Sequence, residues 1–321
     1  MTTINSVNRT QSDKPSTWTK IKGMTLGTAV GVGIYSATPL VAANSLLKRV
    51  GKINKNVDTV ELRKGVEEAL NKNDLGRFES EEAYKTLNVD VKSYDAPKKI
   101  RIVDVSNHEV KSFKDLYKSF MKNSSKYMRK NSKEAKTELS KIQTNFIFEY
   151  LKKDVVSGKQ SYFLPSFNEV WVNMEKMGTS VFHEIGHFIC RKQTKFGANV
   201  AKMIPLKKLG VFVIPTLAIL TPQKSESKKS ENTVDKARFF IKDNAGKLSA
   251  LTLMPILIDE LNASVKGNKL AKSVLTPEMY KKVVKTNRLG ALTYIIKCMS
   301  LAAGVFAANN IKDYITKPKT V

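Results

Sequence analysis

The sequence predicts a mainly α membrane protein, in which an α+β region with a small sheet is joined to about four membrane helices. Three observations predict it: uncharged stretches long enough to cross a bilayer, short alternating runs of strand character, and a His-Glu-x-x-His motif set in apolar helical periodicity.

Residues 1–22 are polar and rich in Thr and Ser, and are expected to form a disordered tail. Residues 23–47 carry no charge, lie between Lys22 and Lys48, and exceed the roughly 20 residues that span a hydrocarbon core. Gly23, Gly27 and Gly31 recur every four residues, a small-residue face that suits close helix packing and is an expected route to an oligomer. Val41-Ala42-Ala43 also resembles a small-residue cleavage site, so a signal peptide is the alternative reading of this stretch.

Residues 48–208 are expected to hold the α+β region. Val60–Asn71 and Ser80–Leu87 read as short amphipathic helices, and Ile100–Val105 alternates as a strand. A Lys-rich helical insertion follows at about 111–160, where Phe113, Leu116, Tyr117, Phe120 and Met121 fall at helical spacing between the lysines. Its bland reading is the solvated face of long helices; its more interesting one is docking on anionic lipid. Asn168 to Asn173 reads as a strand just before the motif, with Val170 and Val172 on one face and Glu169, Trp171 and Asn173 on the other. Such a strand is expected to form the edge on which an extended peptide substrate pairs, which makes Asn168, Glu169, Val170, Trp171, Val172 and Asn173 candidate substrate-binding residues.

In residues 209–311 three more apolar stretches occur, Leu209–Gln223, Leu248–Ile258 and Leu289–Ile311. The first two are short, and are expected to be membrane helices extended by flanking amphipathic turns. Between Thr221 and Arg238 the chain is polar, Ser- and Lys-rich and aperiodic, which predicts a loop, and 312–321 is expected to be a tail. If each apolar stretch crosses once, 48–208 and 266–288 share one side of the membrane. Lysines occur in the loops of both sides, so charge does not fix which side is cytoplasmic.

The net charge is +26, from 55 Lys and Arg against 29 Asp and Glu. The basic residues are spread over nearly every polar stretch with no nucleic-acid-binding motif, so the expected partner is an anionic membrane surface rather than nucleic acid. Cys190 and Cys298 lie far apart in apolar helical stretches and read as small buried hydrophobes, not as a disulfide or metal ligands.

Two of the chain's three histidines fall in His183-Glu184-Ile185-Gly186-His187. On a helix, imidazoles at i and i+4 project from one face and can reach a single Zn²⁺, while the carboxylate between them activates water as general base. Phe182, Ile185, Phe188 and Ile189 give this helix a buried face. Gly186 costs about 1 kcal/mol against Ala in a helix, a cost that fits a close approach by another element. A hydrolytic zinc needs three protein ligands. His108 is distant from the motif. Glu260 is the stronger candidate, because the pair Asp259-Glu260 ends an apolar helix, where carboxylates are costly unless paired or bound to a cation. Ala263 and Ser264 share its face and would let the motif helix pack close.

At these residues the chain resembles the neutral zinc metallopeptidases of bacterial membranes, with the gluzincin pattern of HExxH plus a distant Glu. The similarity runs through the N-terminal apolar helix, the strand before HEIGH, Lys195-Phe196-Gly197-Ala198-Asn199, the stretch Leu253 to Ser264, and Ala291-Leu292-Thr293-Tyr294. It implies a zincin-like α+β catalytic region, one Zn²⁺ per chain held by His183, His187 and Glu260, a peptide or protein substrate, and a multi-pass protein of a bacterial-type cell membrane. Ser264 stands where many gluzincins carry an Asp that orients a ligating histidine, which implies a weaker version of that role. Tyr162, Tyr294 and Arg288 are open candidates for stabilising the oxyanion. The competing reading is a non-catalytic basic membrane protein that binds lipid or a protein partner, with zinc structural or absent; the intact Glu184 argues against it.

Overall fold

A computed structural model describes residues 15–80, 99–107, 112–128, 130, 132–222 and 232–317. His108 and most of the helix expected at Ser80–Leu87 lie outside these. The described chain is mainly helical, with a small four-stranded sheet, and it divides into two compact units. One comprises Met1–Ala42, Met203–Ile256 and Tyr294–Val321, the other Ala43–Lys202 and Leu257–Thr293.

Four helical segments are long and apolar enough to cross a membrane: Thr17–Asn54, Lys195–Leu220, Ala245–Lys272 and Pro277–Thr316. Three contain one of the apolar stretches read from the sequence, and Lys195–Leu220 covers the stretch begun at Leu209 as far as Leu220. The first, α1 (Thr17–Asn54), begins inside the stretch expected as a tail. Leu26, Val30, Val32, Leu40 and Val41 are exposed along it, as suits a surface solvated by lipid rather than water.

In the first unit, α1 meets the chain's last helix, Pro277–Thr316, through its glycines. A Cβ at Gly27 would lie 2.4 Å from the Ala308 carbonyl oxygen, and one at Gly31 would lie 2.7 Å from that of Gly304. The close packing expected at Gly23, Gly27 and Gly31 is thus made within the chain, by its own last helix. Ala218, Ala245, Leu253, Leu301 and Val305 form the unit's apolar core. The stretch expected as a loop up to Arg238 is helical from Thr233, where Asn232 caps the helix Thr233–Asp243 by accepting from the Val234 N–H.

The second unit is built on α2 (Thr59–Lys72) and the strands β1 (Gly76–Ser80), β2 (Ile100–Asp104), β3 (Tyr162–Leu164) and β4 (Glu169–Val172), in the order β1-β2-β4-β3. β1, β2 and β4 are parallel, and β3 pairs antiparallel to β4. The strand read at Asn168–Asn173 is therefore not an edge. β4 is hydrogen-bonded on both sides and buried throughout, so Val170, Trp171 and Val172 serve the core. Glu169 pairs with Arg101 and accepts from Trp171 Nε1 at 3.0 Å, while Asn173 accepts from the Lys176 N–H at 3.0 Å and donates to the Val156 carbonyl at 2.9 Å. Asn168 is buried with positive φ at the turn into the strand. With every one of these residues committed inside the fold, β-augmentation at β4 is excluded; β3 is the outer strand on that side. The Lys-rich segment forms a helical hairpin, Phe113–Met128 and Lys133–Val156, with Phe113 and Phe120 of the first helix in tilted ring contact with Phe146 of the second.

Candidate metal centre

The motif forms helix Val181–Phe188, whose Val181, Phe182, Ile185 and Phe188 are buried in a core shared with Leu62 and Val66 of α2, Ile102 of β2 and Val170 of β4. That periodicity fixes the helix's rotation. With the apolar side chains turned into the core, His183, Glu184 and His187 are left on the faces where polar partners are needed. A buried network fixes its start: Asn54 Oδ1 accepts from the Thr179 N–H and hydroxyl at 3.0 and 3.1 Å, and the Thr179 hydroxyl is 2.8 Å from that of Thr286.

Helix Met254–Lys272 supplies the rest of the site. Glu260, Ala263, Ser264 and Gly267 recur at i, i+3, i+4 and i+7, one face of that helix. The two helices touch backbone to backbone. A Cβ at Gly186 would lie 2.0 Å from the Ala263 carbonyl oxygen, and one at Gly267 would lie 2.2 Å from that of Phe182. Glycine is required at both positions, and the contact carries the Glu260 carboxylate to the histidines.

Ligand atoms of His183, His187 and Glu260 all lie within 4.8 Å of one another. Glu260 Oε2 is 3.0 Å from His183 Nε2 and 3.5 Å from His187 Nε2. Tetrahedral zinc at about 2.1 Å from each donor sets its donors about 3.4 Å apart, so the donor set fits the ion in kind and the two spacings to Glu260 fit it in distance. The imidazoles are also oriented from behind. His183 Nδ1 lies 3.1 Å from Ser264 Oγ, and His187 Nδ1 lies 3.2 Å from Asp259 Oδ2, an ion-pair approach that falls short of an aligned hydrogen bond. Asp259 in turn is held by Arg191, with Nη2 at 2.5 Å and Nε at 3.4 Å. Arg191 follows His187 by four residues, in the π-helical turn Ile189–Gln193 that continues the motif helix.

The site carries an excess of negative charge around His187. Burial disfavours a charged His187, but the Asp259 and Glu260 carboxylates overcome it and hold the imidazole pKa at about 10, against an ordinary 6.5. A proton on His187 and a metal ion between the same groups answer the same excess of negative charge.

Glu184 is buried, with its carboxylate turned to β3. It accepts from the Ser161 hydroxyl at 2.7 Å and from the Phe163 N–H at 2.8 Å. Tyr162 stands between these two donors in sequence, its phenol pushed up to about 12 by burial first and then by the charges of Asp154, Tyr150 and Glu184. It is thus a protonated hydroxyl at neutral pH. Arg288 is exposed in this unit, and Tyr294 belongs to the other one, where Lys297 stacks on its ring.

Sequence reading missed Arg191, Ser161 and the Phe163 amide, and gave Asp259 no task of its own. The i+4 spacing from His187 to Arg191 was a usable signal. Nothing local marked Ser161, which reaches Glu184 only because β3 folds back along β4. No family model, no curated protein and no solved structure matches this chain.

Proposed function

We propose that this chain is a membrane-bound zinc-dependent endopeptidase of the gluzincin type, related to the neutral zinc metallopeptidases of bacterial membranes, with a zincin-like α+β catalytic region. One observation carries the reading: His183, His187 and Glu260, drawn from two helices, converge on one another, with the charge of Glu184 from the same motif acting on His187. His183, His187 and Glu260 hold the ion; Zn²⁺ bound there supplies Lewis acidity that polarises the scissile carbonyl and eases the ionisation of water.

The chain's own groups do the rest. Glu184 accepts the proton of the attacking water and passes it to the leaving amine, as base and then acid. Ser161 and the Phe163 amide fix its carboxylate while it is ionised. Ser264 and Asp259 hold the histidine rings in place. The substrate strand is assigned to the outer side of β3, next to Glu184, in place of the interior β4, and the Tyr162 hydroxyl is the donor nearest in sequence to that edge.

The experiment is elemental analysis of detergent-purified protein, with His183→Ala, Glu260→Ala and Glu184→Gln variants, followed by cleavage of an unfolded polypeptide. Zinc near one per chain is expected in wild type and in Glu184→Gln, with loss in the two ligand variants. Cleavage is expected in wild type alone. Zinc-dependent cleavage by purified Glu184→Gln would overturn the role of that carboxylate. Wild type free of zinc after reconstitution would replace the enzyme by a non-catalytic basic membrane protein.

A further inference from the structure

The second unit holds a cavity of about 550 Å³ built from residues that the metal centre does not use. Its walls are one face of the end of α1, with Arg49, Lys52 and Ile53, the turn after it, with Asn56, and one face of the start of the last helix, with Glu278, Lys281, Lys282, Lys285 and Leu289. On both helices the positions recur at i, i+3 and i+4, so each helix turns a continuous stripe to the same space.

Five of these side chains are cations and one is a carboxylate. Glu278 is already spoken for, 3.1 Å from Lys282, which also donates to the Asn56 carbonyl at 2.7 Å. Arg49, Lys52, Lys281 and Lys285 have no carboxylate within 4.0 Å among the described residues. Four exposed cations whose aliphatic stems line one concave surface repel one another unless an anion sits among their heads. Ile53 and Leu289 add aliphatic wall, which a bare inorganic ion would not need. The position is telling as well. Arg49 and Lys52 come just after the uncharged stretch 23–47, and Lys281 and Lys285 just before Leu289–Ile311, so the cations sit in sequence where two membrane-crossing stretches end.

We propose that this cavity binds a phosphate group, and that its source is the headgroup of an anionic phospholipid, with the phosphodiester among Arg49, Lys52, Lys281 and Lys285 and the glycerol end against Ile53 and Leu289. Basic pockets between membrane helices recognise such headgroups by charge and by hydrogen bonds to phosphate oxygens. The site is independent of the metal centre, and would stabilise the α1 end against the last helix whether or not the chain is an enzyme.

The test uses the full chain in a neutral detergent, stripped of lipid. Dioleoylphosphatidylglycerol and the zwitterionic dioleoylphosphatidylcholine are titrated separately and counted by native mass spectrometry. Inorganic phosphate is titrated at constant ionic strength with thermal unfolding as the readout. Wild type is expected to bind phosphatidylglycerol in preference to phosphatidylcholine at one tight site. Lys281→Gln/Lys285→Gln should weaken that site by roughly five-fold per cation removed, Lys281→Arg/Lys285→Arg should keep it, and Lys133→Gln/Lys136→Gln on the exposed helical hairpin should leave it unchanged. Stabilisation by inorganic phosphate that disappears in the Lys281→Gln/Lys285→Gln variant, without preference for phosphatidylglycerol, keeps the phosphate site but makes free phosphate its source. Equal binding of the two lipids together with no response to phosphate overturns the proposal, as does equal weakening by the Lys133→Gln/Lys136→Gln control. Should the glutamine variant not fold, the arginine variant and the salt dependence of wild-type binding decide: a site that does not weaken between low and high salt is not this one.

Discussion

In the unit of the candidate metal centre two carboxylates, Asp259 and Glu260, are buried against two imidazoles with Arg191 as the paired cation, whereas in the other unit two buried ammonium groups, Lys242 and Lys312, share the single carboxylate of Asp313. The surplus charge is opposite in sign, and it is also resolved differently. Lys242 completes its shell with the Pro222 carbonyl at 3.2 Å, and Lys312 donates to the Thr221 carbonyl. Fixed backbone acceptors close the lysine cluster, so it needs nothing from outside. The carboxylates of the metal centre face imidazoles, whose charge is conditional on a proton or an ion. Buried charge is therefore closed on itself in one region and left open to a proton or an ion in the other, and the partner's ability to change state makes the distinction.

The same kind of substitution in the two regions breaks this comparison most sharply. Asp313→Asn leaves two buried ammonium groups beside each other without a counter-charge, an imbalance worth about 3–5 kcal/mol when one partner of a buried pair is removed. The expected outcome is a large fall in thermal unfolding temperature of the detergent-purified chain, with zinc content unchanged. Loss of zinc without loss of stability would put Asp313 in the wrong class.

Asp259→Asn is expected to do the reverse. His187 and Arg191 lose their carboxylate, but Glu260 remains, so the loss falls on metal affinity by roughly 10- to 100-fold, as for other groups that orient a ligating histidine. Competition against a fluorescent zinc chelator measures it. An affinity equal to wild type would mean that Asp259 serves only to anchor Arg191.

How much of this was legible in the sequence follows from the range over which each feature is decided. The apolar stretches and the motif helix depend on residues within a few turns of one another, and charge-free runs and the spacing of Phe182, Ile185 and Phe188 report them directly. The place of Glu260 beside the histidines was legible because a carboxylate at the end of an apolar run has few inexpensive explanations, although the helix itself runs on to Lys272. The place of β4 in the sheet was not, since its neighbours β2 and β3 are chosen by pairings that local alternation does not encode. β1, at Gly76–Ser80, was not read as a strand at all, because five residues with two charges among them carry no clear alternation. The glycine face of α1 announced a close partner without saying which, and the partner proved to be a helix almost at the other end of the chain. Lys242 and Lys312 looked like two of many lysines; only folding shows that both meet Asp313.

A smaller effect distinguishes the conditional charge at His187 from the fixed charge at Lys242. The folded chain holds His187 at about 10 against an ordinary 6.5. A raised pKa contributes stability that is fully present below the ordinary value and is lost as pH rises through the folded one. In chelator, unfolding temperature is therefore expected to fall between about pH 6.5 and pH 10. With zinc loaded, the ion replaces the proton and this fall should vanish. A chelated protein whose stability is flat across that range would show that the carboxylates do not act on His187 as placed.

Ser264→Ala gives the smallest expected change and tests the finest point, whether the hydroxyl behind His183 orients the ring or merely fits beneath it. A neutral hydrogen bond contributes about 0.5–1.5 kcal/mol net, so removal of the 3.1 Å contact to His183 Nδ1 should weaken zinc by only a few-fold. Ser264→Asp separates the alternatives. If orientation is the role, a carboxylate there makes a charge-assisted bond to the ring and tightens zinc beyond wild type. If the small side chain matters only because Ala263 and Gly186 bring the helices together, the larger carboxylate forces them apart, and zinc binding and stability fall together. An Asp variant that binds less zinc but unfolds at the wild-type temperature fits neither, and would place the hydroxyl outside the histidine's support.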